Sequence, residues 1–67
     1  MLEPMVSVTW LKFEAGDVWH AVFVNGRDHE MFEGSRDECI VWGLHRCPTV
    51  KVYVPGQSRW ELVSSAA

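Results

Sequence analysis

VWHAVFVNGRDHEMFE, residues 18–33, decides the fold. Its first seven residues are mostly β-branched or aromatic, the composition of a strand. Asn25-Gly26 follows, a pair suited to a tight type I′ hairpin turn because both central residues must take positive φ. Residues 27–33 then form the returning strand. A two-residue turn centred on Asn25-Gly26 pairs Val24 with Arg27, Val22 with His29, His20 with Met31 and Val18 with Glu33. His20 and His29 become diagonal neighbours in that register. Strand alternation sorts the hairpin into an aromatic face (Trp19, Phe23, Phe32) and a valine-methionine face (Val18, Val22, Val24, Met31).

Outward from this hairpin, residues 5–13 (MVSVTWLKF) form a preceding strand, closed by a turn at residues 14–17. Downstream, Ser35-Arg36-Asp37-Glu38 is a capping box, in which serine and glutamate satisfy amides at a helix start. The helix extends to about Arg46 and ends near Cys47-Pro48, since the residue before proline avoids helical geometry. Residues 49–54 (TVKVYV) alternate as a strand, Pro55-Gly56 turns the chain, and residues 59–63 form a short last strand. The expected architecture is α+β: an antiparallel β-sheet of four to five short strands with one helix on one face, in the order β-β-β-α-β-(β). Residues 1–63 make a single domain and residues 64–67 a frayed tail.

Helical geometry places Cys39, Ile40, Gly43, Leu44 and Cys47 on one stripe. Gly43 costs about 1 kcal/mol relative to alanine inside a helix, which suits a close approach to the sheet, with Ala21 the expected landing point. The aromatic face is thereby assigned to the helix side. The opposite face, with Val22, Val24 and Met31, has no second helix to cover it. Either residues 5–13 or the C-terminal segment folds across it, or a partner does. Small size sharpens the point, because a chain near this length buries only about 60% of the surface its unfolded form exposes.

The chain has 67 residues, 48% hydrophobic and 22% charged, with a net charge of −3. That balance gives no broad basic footprint for nucleic acid. Wholly apolar stretches are too short to span a membrane, and without a charged-then-apolar leader a cytoplasmic location is expected. Two cysteines do not make a disulfide scaffold, and eight residues along one helix hold them about 12 Å apart, as buried free thiols. No metal-ligand spacing such as C-x-x-C or H-E-x-x-H occurs, and a site shared by His20 and His29 lacks a third strong ligand. Ser58 lacks the second glycine of a nucleophile elbow, Cys39 and His45 leave the helix on different sides, and no phosphate loop exists. Asp28, Glu30, Glu33, Asp37 and Glu38 fit a solvated strand and a helix N-terminus. Neither catalysis nor a cofactor is expected.

A tryptophan on a central strand, three strands before a helix, and F-x-x-S-x-x-E at its opening (Phe32, Ser35, Glu38) resemble the small AP2-like arm-binding domains of phage integrases. Residues 18–46 are also similar to bacterial domains of the W-x-V…F…S/T-x-x-E kind, and small size with high tryptophan content resembles accessory proteins of actinobacterial phages. The resemblance implies a sheet that binds DNA through basic residues. Here Lys12, Arg27, His20 and His29 stand against Asp28, Glu30 and Glu33, which removes the phosphate-neutralising charge.

The expected function is a non-enzymatic interaction module, a homodimer or a binder of a host protein, with nucleic-acid binding as the alternative. The expected contact residues are Val22, Val24 and Met31, flanked by His20, His29 and Arg27, with Trp42 as a secondary anchor.

Overall fold

The computed structural model describes residues 4–64. Three strands come first: β1 (Met5–Phe13), β2 (Asp17–Asn25) and β3 (Asp28–Gly34). They form an antiparallel meander. Helix α1 (Arg36–Leu44) then carries the chain back across the sheet, and β4 (Thr49–Val54) and β5 (Arg59–Ser64) complete it. The strand order is β3-β2-β1-β4-β5. The α+β class and the single helix on one face are as the sequence implies.

Sheet direction differs from the expectation at one seam. β1 and β4 run parallel, with Val6 beside Val50 and Val8 beside Val52. A helix between two sheet strands is a crossover connection, and a crossover delivers the second strand parallel to the first. Here α1 joins β3 to β4 across two intervening strands, so the chain re-enters on the far side of β1. The last strand joins the sheet through the β4–β5 hairpin, with Val50 opposite Val63 and Tyr53 opposite Trp60. Ser64 pairs with Thr49 rather than fraying, and residues 65–67 of the expected tail lie outside the described residues.

The hairpin turn is also displaced. Asn25 pairs with Asp28, leaving Gly26 and Arg27 as the loop. Gly26 takes φ +62° while Arg27 stays at negative φ, the pattern of a type II′ turn with glycine in its first central position. Cross-strand partners are thus offset by two residues from the expected register. The offset matches like with like: Val22 opposes Met31, Ala21 opposes Phe32, and His20 opposes Glu33. Such apolar and polar cross-strand pairs favour this register over one that sets Val22 on His29 and Ala21 on Glu30. Because the offset is an even number of residues, every side chain keeps its face.

The core lies between helix and sheet. Val6, Val8, Ala21, Phe23, Val50 and Val52 from the strands meet Cys39 and Cys47. Fully burying each valine contributes about 1.5–3 kcal/mol, and Val6, Val8, Val50 and Val52 are all completely enclosed. Trp19 and Phe32 pack around them on the same side, so the aromatic face lies toward the helix. Gly43 is the contact point of the helix. A Cβ there would stand 2.7 Å from both Val6 Cγ1 and Val50 Cγ2, so the close approach exists but lands on those valines rather than on Ala21.

Local chemistry fixes the helix ends. The Ser35 hydroxyl accepts a hydrogen bond from the Glu38 amide at 3.1 Å, and the Glu38 carboxylate accepts one from the Ser35 amide at 3.0 Å. This reciprocal box satisfies donors that a helix start leaves free. At the other end His45 is the cap. The Arg46 and Cys47 amides both donate to the Gly43 carbonyl, so the helix closes a little before the expected Arg46. Cys39 and Cys47 are buried free thiols.

Candidate functional site

The second face of the sheet has no cover among the described residues. Alternation sends Val22 and Val24 of β2 and Met31 of β3 away from the helix, and the register puts Met31 directly opposite Val22. The strands that were candidates to fold over this face instead widen it. β1 adds Met5, opposite Val24, and Ser7, opposite Val22. β4 and β5 add Lys51 and Leu62, which oppose one another. One row therefore crosses all five strands as Met31, Val22, Ser7, Lys51 and Leu62. Its two ends are open to solvent, Met31 at 70% and Leu62 at 74%.

A second row begins with Glu33, His20 and Thr9, and at its far end Tyr53 and Trp60 meet edge to face at 5.2 Å. The Lys51 ammonium lies over the Trp60 ring, 4.5 Å from its centroid, an attraction between a cation and the negative ring face. At the margin, Pro4, Met5, Thr49, Lys51 and Leu62 line a depression of about 160 Å³.

Most acids lie elsewhere. Asp28 and Glu30 alternate onto the helix side of β3, and Glu61 onto that of β5. Glu30 pairs with Arg46 at 3.2 Å, and Glu61 with Arg59 at 3.1 Å. Lys12, at the far end of β1, pairs with Glu14 at 2.9 Å. Glu33 and Lys51 are the charged side chains within the open rows, and neither has an ion-pair partner among the described residues.

The remaining expected contact residues fall in different places. His20 lies on the open face between Thr9 and Glu33, while His29 lies opposite Val24. The displaced register sets them four positions apart along β2, roughly 13 Å at ~3.3 Å per residue, so they are not diagonal neighbours. Arg27 occupies the hairpin loop at the tip. Trp42 belongs to the opposite side of the protein. Its ring stacks on Phe32 at 5.7 Å and under the Arg46 guanidinium at 3.9 Å, so it is a half-buried flank of the helix and does not join the apolar face. Beside it, Phe32, Asp37, Glu38, Val41 and Trp42 line an open, mostly apolar depression of about 400 Å³.

Met5, Lys51, Tyr53, Trp60 and Leu62 were not foreseen as contact residues. The alternation of TVKVYV already sets Lys51 and Tyr53 opposite the buried valines. Trp60 and Leu62 become visible only once β5 is paired.

Among the described residues no group of three or more His, Cys, Asp or Glu side chains is placed to hold a metal ion. No helix among them is long and apolar enough to cross a membrane. Burial raises the thiols of Cys39 and Cys47 above their ordinary range, opposite to what a reactive thiolate requires. No family model, curated protein or solved structure matches the chain.

Proposed function

We propose that this protein is a non-enzymatic binding module that works through the uncovered face of its sheet. The supporting observation is the five-strand row from Met31 through Val22 to Leu62, whose apolar ends are open to solvent, in a fold whose only helix among the described residues serves the other face. Large apolar side chains left open at both ends of one sheet face mark a surface suited to a partner. Met31, Leu62, Met5 and Trp60 supply adaptable apolar and aromatic contact; His20, His29 and Glu33 supply a polar rim. Metal, cofactor and catalytic residues have no part in this proposal.

A photo-crosslinking amino acid placed at Met31 or Leu62, and separately at Val41 on the helix, tests it in the cells that make the protein. Discrete adducts from the two sheet positions and none from Val41 are expected. Adducts from Val41 alone, or from no position, overturn the proposal.

One corner favours a second function, nucleic-acid binding of the sheet type. Tyr53, Trp60 and Lys51 combine aromatic rings with a cation, the elements of a base-stacking platform. Binding of that kind quenches tryptophan fluorescence with a single-stranded oligonucleotide at low ionic strength and reverses as salt rises. An unchanged spectrum at low salt excludes it.

A further inference from the structure

Resting on the assignment of the open face as a binding surface, we infer that its occupant is a second copy of this chain, packed sheet to sheet about a two-fold axis along β1. Such an axis lies between the two sheets, keeps each row at its own height and exchanges the two edges. β3 of one copy then lies over β5 of the other, and β2 over β4.

The residues meet in complementary pairs under that operation. Met31 arrives over Leu62 of the second copy, joining the two most exposed apolar ends of the first row. Val22 arrives over the aliphatic stem of Lys51. Glu33, from the outer end of the second row, arrives over Trp60. Lys51 already leans over its own Trp60 ring, 4.5 Å from the centroid, so its ammonium waits where the carboxylate of the second copy lands. The unpaired acid and the unpaired base of the open rows thereby satisfy each other twice. On the axis Ser7 and Thr9 meet their own images, and their small size lets the sheets close to the usual separation of ~10 Å.

Charge also selects this axis over its rival. A two-fold axis running across the strands at the height of the first row would lay each strand on its own image and set Lys51 against Lys51 of the other copy. Like charges in direct opposition are unfavourable. Sheets packed this way align within about 30°.

Sedimentation equilibrium at high micromolar concentration, on wild type, Glu33→Lys, Lys51→Glu and the double variant, tests the arrangement. Circular dichroism checks that all four fold. Wild type is expected to be a dimer, each single variant to dissociate about tenfold or more readily, and the double variant to recover to within a few-fold of wild type. A monomeric wild type, or single variants that associate as wild type does, overturns the inference. The crosslinker at Met31 separates the two levels. An adduct of twice the chain mass supports the second copy. An adduct of another mass, with monomeric wild type, overturns the second copy and leaves the binding face standing. No adduct overturns both.

Discussion

Gly43 of the helix and Val6 of the central strand stand so close that one added carbon on the glycine would lie 2.7 Å from Val6 Cγ1. Two carbons cannot share that distance. Val50 Cγ2 blocks the other side equally, and both valines are β-branched, fully enclosed and held in neighbouring strands. Gly43→Ala gains about 1 kcal/mol of helix propensity and loses about 1–3 kcal/mol to overpacking. A net destabilisation of about 1 kcal/mol is expected in urea denaturation. A more stable variant would show that the helix can lift from the sheet without penalty.

Positions on the two faces of the sheet should respond differently. Val8 is wholly buried, and Val8→Ala is expected to cost about 2 kcal/mol in transfer and cavity terms. Met31→Ser, at a position 70% exposed, is expected to change the stability of the monomer by no more than about 0.5 kcal/mol. Denaturation midpoints of the two variants, taken at low protein concentration, check the contrast.

The cysteines offer a chemical readout of the same core. Cys39 is fully enclosed and Cys47 nearly so. Desolvation, the leading cause at both, keeps each thiol protonated above its ordinary range. Iodoacetamide at mildly alkaline pH should leave both unmodified in the native protein and modify both in guanidinium. Mass spectrometry counts the adducts. Rapid native labelling at Cys39 would mean that the helix does not stay seated.

The capping box has a pH signature. The Ser35 amide, and secondarily the Ser35 side chain, hold the Glu38 carboxyl below its ordinary value of 4.5. A group with a lowered folded pKa binds fewer protons in the native state, so its contribution is present above that ordinary value and fades as pH falls through the lowered one. Glu38→Gln should therefore flatten the acid limb of the stability profile below about pH 4.5, relative to wild type. Ser35→Ala should cost about 1 kcal/mol at neutral pH. Thermal melts across the acid range measure both.

Local signals in the sequence revealed the elements, and distant ones were silent. The capping box, the breaker at Pro48 and the alternation of residues 49–54 each act within a few residues, so helix and strands appear where their own chemistry puts them. The division into two faces was legible for the same reason, and with it Val22, Val24 and Met31. Register was not, because Asn25-Gly26 satisfies one tight turn while Gly26-Arg27 satisfies another, and the choice rests on Val22 reaching Met31 and Ala21 reaching Phe32. The position of Trp42 was ambiguous until Phe32 supplied a ring to stack on. Sheet order was hidden altogether: nothing in β1 or β4 alone says that Val6 will lie beside Val50. Leu62 and Trp60 inherit that gap, since their place on the open face follows from where β4 docks.

The central seam between β1 and β4 joins segments more than forty residues apart, and this dictates an order of events as the chain leaves the ribosome. The first three strands can assemble as soon as they emerge, each beside its immediate predecessor. Val6 and Val8 must then wait with one flank bare until residues 49–54 have followed. A nascent chain halted after the helix would display the future middle of the sheet as an edge, the condition that recruits chaperones or invites a neighbouring chain to pair there.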